Sequence, residues 1–459
     1  MVHKNSFIRI IFKALFPGTL TDKKAMPLIL VFLATAFMTN KLIAQDTLLT
    51  FQKAATIALE NNFDIRISNN ELSKTEIQDH VGEAGMLPEL NLNGSYSQAN
   101  NSTKQKYSNG DQVDRSNATT ENLNAELALG WTIFDGAKMF STKKRLAAQS
   151  NQASISLKLQ MEEVYLNVLK SYFEISRQQQ LLKSIREEIL LGRERLSIAN
   201  RRFANGSGSK LEVLQAQTDL NSRLSAEMTQ LSSLKTSSID LNRLLARPIE
   251  TPFSVEDSIA VDLNSSLEQL KDKSKESNSL RSYYRKQLLI AELSLKESAA
   301  DRWPKIKLNG SYIFNNTEND VGFIRLNKNQ GFNYGISASL PLFNGLSLSR
   351  NVKTARLDVM NSRLQMEHAE EEVNADLIIA FNKFRDQVAI LKLEEQNIVA
   401  AREVLLISQE RFRAGLSSIL ELKDVQRTYE EAMSRLVDAR YEAKVSEGNV
   451  KRLAGTLIQ

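Results

Sequence analysis

Pro88-Glu-Leu-Asn-Leu-Asn-Gly-Ser-Tyr96 returns as Pro304-Lys-Ile-Lys-Leu-Asn-Gly-Ser-Tyr312, 216 positions later. In the first copy Leu90, Leu92, Gly94 and Tyr96 fall on one side and Asn91, Asn93 and Ser95 on the other. That is the period of two of a β-strand. Further on, Ile133-Phe-Asp-Gly136 is matched by Leu342-Phe-Asn-Gly345, and Arg202-Phe-Ala-Asn-Gly206 by Arg411-Phe-Arg-Ala-Gly415, both at an offset of 209. The chain is one plan written twice. The drop from 216 to 209 places seven extra residues in the first copy, in a loop at about 100–120 whose counterpart is at about 316–331.

Each copy has the same parts. A helical stretch comes first, over 62–86 and again over 266–301. A strand pair follows, 89–99 with 122–134 and 305–315 with 332–343, joined by Asn- and Ser-rich loops. Leu127, Leu129, Trp131 and Ile133 alternate with Glu126, Ala128 and Thr132. The second copy alternates through Ile306, Leu308, Tyr312 and Phe314, then Phe332, Tyr334, Ile336, Ala338, Leu340 and Leu342. Next come proline-free runs over 137–204 and 346–414, with return helices over 209–247 and 417–456. At 1.5 Å per residue each long run makes a helix of roughly 100 Å. Val168, Ile175, Leu182, Ile189, Leu196 and Phe203 recur every seven residues, as do Leu377, Phe384, Leu391, Ile398, Leu405 and Phe412. A sustained heptad line predicts coiled-coil packing. The line is single, which favours a sheet-like array of helices over a dimeric zipper.

Charge and composition narrow the class. The net charge is +5, and residues 1–44 hold six bases against one acid, leaving 53 of each in the remainder. The basicity therefore belongs to the leader, and no nucleic-acid partner is expected. Lys23 and Lys24 precede an apolar run from Pro27 to Met38, and Leu42-Ile43-Ala44 offers a cleavage site, so 1–44 reads as a secretory signal. That run is shorter than the roughly 20 residues of a membrane helix. The mature chain then divides into a first repeat over 45–247, a linker over 248–265 and a second repeat over 266–459. There is no cysteine, hence no disulfide framework and no lipobox. His3, His80 and His368 are the only histidines and form no ligand-spaced cluster. No phosphate loop, dinucleotide fingerprint or nucleophile elbow is present, so neither catalysis, a metal nor a cofactor is expected.

Strands of about ten residues suit a tilted membrane strand. Their apolar face carries Tyr96, Trp131, Tyr312 and Tyr334, with Phe134 and Phe343 at the strand ends. Aromatics on strands also fit an ordinary sheet core; the export signal and the lack of a helical anchor favour lipid. Four strands cannot close a barrel, for which about eight is the minimum. An open edge in lipid costs several kcal/mol per unpaired group. Several chains must contribute to one barrel.

Strand pair, long helix, Phe-x-x-Gly turn and return helix, present twice from about 46 to 457, resemble the TolC family of outer-membrane efflux proteins. The resemblance implies an α+β membrane protein that works as a homotrimer. Its twelve-stranded barrel, four strands per chain, sits among outer-membrane lipid and is continued by an α-helical coiled-coil barrel across the periplasm. It also implies docking to a periplasmic adaptor and an inner-membrane transporter. Asn205-Gly206-Ser207 and Ala414-Gly415-Leu416 are C-caps on any reading; the resemblance makes them adaptor-contact tips, and only the second fits the family's hydrophobic-Gly-Leu pattern. Glu421 and Asp424 lie three apart and share a helix face. By resemblance they line the periplasmic gate, with Phe412 at the position of a gate tyrosine, Ser417 where some relatives carry an arginine, and Glu212 with Gln215 as the first copy's counterparts. A periplasmic coiled-coil scaffold is the competing class. It accounts for the helices and the duplication, and gives no reason for four amphipathic strands.

Overall fold

A computed structural model of the chain describes residues 48–262 and 264–458. The signal expected over 1–44 lies outside them. Leu49–Thr251 with Val255 onward forms one body, and Leu48 and Pro252–Ser254 group apart from it. In that body the first copy comprises α1 (Phe51–Asn61), α2 (Phe63–Gln78), β1 (Glu89–Lys106), β2 (Gln112–Phe134), α3 (Lys138–Ala204) and α4 (Lys210–Leu244). The second comprises α5 (Leu267–Ser277), α6 (Ser279–Ala300), β3 (Lys305–Asn319), β4 (Leu326–Ser339), α7 (Ser347–Arg413) and α8 (Ile419–Leu453).

The duplication is written into the caps. Asn62 caps α2 with its side-chain oxygen and gives its amide hydrogen to the Leu244 carbonyl at 2.9 Å. Asn278 does the same for α6 and the Leu453 carbonyl, also at 2.9 Å. Each asparagine thus starts one helix and satisfies the end of another, whose last carbonyls have no partner within their own helix. Ser209 and Ser418 cap α4 and α8, each hydroxyl oxygen accepting from the amide three residues on, Glu212 or Glu421. Both long helices have 67 residues and both return helices 35, and each long helix starts after a left-handed residue, Ala137 or Leu346.

The asparagine caps also correct the expected helical stretches. Residues 62–86 and 266–301 were expected as single helices. In the first, helix begins after Asn62 and ends at Gln78, with α1 a separate helix ahead of it; the second is α5 and α6 broken at Asn278. A side chain that competes for the backbone amides ends one helix and opens the next. Gly192, by contrast, leaves α3 unbroken and lets Leu220 of α4 approach, its side chain 3.4 Å from where a Cβ would stand.

The four strands form one antiparallel sheet in the order β1-β2-β3-β4. β2 and β3 join the two copies, and β1 and β4 are its edges. The first hairpin is longer than its alternation indicated: β1 runs on to Lys106 and β2 begins at Gln112. The polar stretch reads as loop because it lacks an apolar face, yet a ladder needs only backbone pairing. Here side chains extend it, with the Thr119 hydroxyl donating to Asn100, Thr120 to Asn319 and Thr317 to Asn122 at 2.8–2.9 Å. β4 starts earlier than expected, at Leu326, and ends at Ser339.

α3 packs along α4, α6, α2 and α8, and α7 along α8 and α6. The core is correspondingly a line. Val168, Ile175, Leu182 and Ile189 of the first heptad series are buried, as are Leu377, Phe384, Leu405 and Phe412 of the second. Burying each such side chain contributes about 1.5–3 kcal/mol. Phe203, the last of the first series, is 45% exposed. Tyr172 is fully buried; its hydroxyl donates to the Leu49 carbonyl at 2.8 Å and accepts from the Glu256 amide at 3.2 Å, pinning the segments that enter the two copies.

Candidate functional site

The sheet register decides which side chains share a face, because residues directly opposite on neighbouring strands point the same way. Leu92, Leu127, Tyr312 and Phe332 form one continuous row across all four strands. Leu90, Leu129, Gly310 and Tyr334 form the next, and Trp131, Leu308 and Ile336 the one beyond. In the other direction lie Gly94, Ala125, Phe314 and Gln330, then Tyr96, Leu123, Asn316 and Lys328. Leu123 to Ile133 spans about 33 Å of strand at about 3.3 Å per residue. Tilted by about 40°, that is close to the roughly 25 Å apolar band of an outer-membrane barrel. Charge enters this face at its rim, with Lys328, and one row on with Glu121 opposite Glu318.

The other face is polar. Asn93, Glu126, Ile313 and Gly331 make one row, Asn91, Ala128, Ser311 and Asn333 another, and Glu89, Gly130, Asn309 and Gly335 a third. A cavity of about 350 Å³ opens over these last rows, lined among others by Glu89, Glu126 and Asn309. Glu126 has no ion-pair partner among the described residues. The sheet is therefore apolar on one side and polar on the other.

Of the aromatics read from the sequence, Tyr96, Trp131, Tyr312 and Tyr334 do share the apolar face. Tyr334 is 91% exposed, so nothing in its own chain covers it. The Trp131 indole N–H donates to the Met86 carbonyl at 2.9 Å, which fixes the ring against the chain entering β1. Phe134 follows a register shift at the end of β2, and Phe343 lies beyond β4 in the turn before α7; both are exposed.

At the far end of the long helices stand two matching turns. Gly206 and Gly415 have φ of 71° and 75°. The Ser207 amide reaches the Arg202 carbonyl at 2.9 Å and the Leu416 amide the Arg411 carbonyl at 2.8 Å. These are Schellman caps, whose left-handed residue glycine accepts without strain. Leu416 is exposed, as are Leu211, Leu214 and Leu420 on the first turns of the return helices.

The residues assigned to a gate are placed differently from one another. Glu421 faces Arg411 at 3.7 Å and Asp424 pairs with Arg427 at 2.8 Å, so the two carboxylates share a face and are drawn to separate bases. Glu212 sits in the first turn of α4 above the Ser209 cap. Phe412 is buried, and a small cleft beside it is lined by Leu191, Ile198, Leu422 and Gln426. Its ring lies under the Arg202 guanidinium, 5.5 Å from the centroid. Arg413 adds a second tie between α7 and α3, pairing with Glu194 of α3 at 3.0 Å and with Glu410 of its own helix at 2.7 Å. The Glu194 hydrogen bond, ahead of the others, holds the Arg413 guanidinium above its usual range. Neither Arg202 nor the Arg413–Glu194 pair was legible in the sequence, because the partners come from different copies.

Helical hairpins of this length, tipped by glycine turns and carrying a sheet with one apolar and one polar face, define a class: outer-membrane channel proteins of the TolC-like fold. The chain belongs to the outer membrane efflux protein family, whose profile matches residues 55–247 and 285–456. It is 24% identical to the outer membrane protein TolC of Vibrio cholerae, over 82% of this chain and 84% of that protein. It is 21% identical to the alkaline protease secretion protein AprF of Pseudomonas aeruginosa, over 89% and 87%. Among solved structures, the Campylobacter jejuni CmeC outer membrane channel superposes with a TM-score of 0.75 at 15% identity, covering 89% of this chain and 86% of that one.

Proposed function

We propose that three copies of this chain close one twelve-stranded barrel in the outer membrane. The helical hairpins continue it as a periplasmic tunnel, and cargo handed over by a periplasmic adaptor and an inner-membrane transporter leaves through it. One observation carries this reading. β1 and β4 are open edges of a sheet that is apolar on one face over the depth of a membrane and holds Glu126 on the other. Open edges in lipid are not tolerated, so β4 of one copy pairs with β1 of the next. The chain performs no chemistry: it is a passive conduit, and the energy comes from its partners. A relative named for protease secretion and membership of the outer membrane efflux protein family support an exit duct for either kind of system.

The tips Asn205-Gly206-Ser207 and Ala414-Gly415-Leu416 meet the adaptor, with exposed Leu416 the stronger contact. Glu421, Asp424 and Glu212 line the entrance, where three copies gather carboxylates into a ring that favours cations. Buried Phe412 holds the second tip against the first. Tyr96, Trp131, Phe134, Tyr312, Tyr334 and Phe343 face lipid or its interface.

The test is the native mass of the protein extracted in detergent from isolated outer membranes, followed by conductance in planar bilayers. A three-chain particle that conducts supports the duct. A monomer, or a protein found only in the soluble fraction, overturns it in favour of a periplasmic scaffold.

A further inference from the structure

About two dozen ångströms above the tips, at about 1.5 Å per residue along the helices, three helices from both copies meet in a charged cluster. Arg223 of α4 reaches Glu188 of α3 at 2.8 Å and Glu430 of α8 at 2.5 Å. Both glutamates are largely buried, their side chains 11% and 17% exposed. One Glu188 oxygen is out of solvent and makes no well-aligned hydrogen bond, although it lies within ion-pair distance of Arg223. The other charges around the cluster are already engaged. Arg195 of α3 pairs with Asp219 of α4 at 3.5 Å, and Lys423 of α8 takes the same aspartate at 2.8 Å. Arg186 of α3 is held by Glu227 of α4. Ser184 of α3 and Tyr429 of α8 complete the surroundings, with Glu187 and Arg402 acting on Tyr429 from α3 and α7. One guanidinium therefore serves two adjacent buried carboxylates.

We propose that Glu188, Arg223 and Glu430 form a proton-operated clasp that holds α8 of the second copy against the α3–α4 hairpin of the first. With one proton between them, Glu188 donates a hydrogen bond to Glu430 and Arg223 neutralises the remaining charge. Without it, two buried negative charges face each other across the α3–α8 contact, which low polarity makes costly. Burial first, and the neighbouring Glu430 second, push the Glu188 carboxyl up to about 7. Burial also raises Glu430. A carboxyl raised in the folded state stabilises the packed arrangement while protonated, and that contribution is lost as pH rises through the raised value. The clasp is closed on the acid side of neutrality and released on the alkaline side. That release acts on the periplasmic entrance follows from the exit-duct reading; the clasp itself does not depend on it.

The chain contains no cysteine, so spin labels at Lys183→Cys on α3 and Thr428→Cys on α8, both exposed positions, report the α3–α8 distance in the full-length detergent-extracted protein. Between about pH 5.5 and about pH 8.5 the distance should lengthen by about 1–2 Å or more, the scale of a helix shift, or its distribution broaden correspondingly. Glu188→Gln, which mimics the protonated acid, should hold the short distance at both pH values, and Glu430→Gln should also abolish the response because the pair shares one proton. No pH response in the parent, or a full response in both glutamine variants, overturns the clasp. Conductance of the same samples keeps the two readings apart. A conducting trimer without the distance change sinks the clasp alone, and a distance change in a non-conducting monomer sinks the duct alone.

Discussion

Arg202 of the first tip stacks on Phe412 of the second, its guanidinium 5.5 Å from the ring centroid. The two residues are close neighbours of Gly206 and Gly415, so the contact fastens one copy's hairpin to the other's at the tip. Phe412 is thereby buried inside a single chain, although its position by resemblance belongs to a gate.

If this stack helps to hold the entrance shut, Arg202→Ala removes a cation–π contact of about 0.5–1 kcal/mol. The ratio of open to closed channels then rises roughly two- to five-fold. Single-channel open probability in planar bilayers measures it. Unchanged gating would assign Arg202 to tip stability alone.

Leu127 and Glu126 are neighbours in sequence on opposite faces of β2. An arginine on the lipid face of a barrel costs about 2–4 kcal/mol at mid-membrane depth, and lumen positions tolerate charge. Leu127→Arg should therefore deplete assembled protein in outer membranes, and Glu126→Arg should leave assembly intact while altering ion preference. Equal depletion by both variants would contradict the assignment of faces.

Gly136 and Gly345 occupy equivalent turns with φ of 74° and 64°. A Cβ on Gly136 would stand 2.5 Å from the Ala300 carbonyl oxygen and 2.6 Å from the Trp303 Cβ, whereas on Gly345 it would meet nothing within 4 Å. Gly345→Ala should cost only the left-handed penalty, about 1–2 kcal/mol. Gly136→Ala should cost distinctly more, because β2 must shift relative to the end of α6. Thermal unfolding of the two variants in detergent gives the comparison.

Glu421→Gln combined with Asp424→Asn removes the charge proposed for the entrance without changing side-chain size. The cation-over-anion permeability ratio should fall toward unity while the amount of protein in the outer membrane stays the same. A ratio equal to that of the parent would move the selectivity elsewhere, with Glu126 on the polar face of the sheet the next position to test.

The order of parts was legible in the sequence because it rests on local signals. The repeated Pro-to-Tyr segment sets strand alternation, the heptad lines set the long helices, and the glycine turns end them. All of these act over a few residues, where backbone sterics and side-chain period dominate. The heptad positions Val168 and Leu377 are indeed core, as a line of apolar residues along one helix face must be. The polar extension of the first hairpin was not legible, since its stability lies in cross-strand pairs such as Thr120 with Asn319. The break at Asn278 inside 266–301 was not legible, because it is held by what the cap's amide finds, the Leu453 carbonyl.

A duplicated chain of long helices and amphipathic strands follows from the order of residues alone, because period and punctuation are properties of consecutive residues. It takes the packing of the helices to bring Glu188, Arg223 and Glu430 into one buried site and to lay Arg202 over Phe412. Glu430 stands 207 positions from Arg223 and Phe412 stands 210 from Arg202, and no local pattern fixes which faces of separate helices will meet. That choice is made when the two copies pack, by the match of their apolar lines and the cost of leaving a buried charge unpaired.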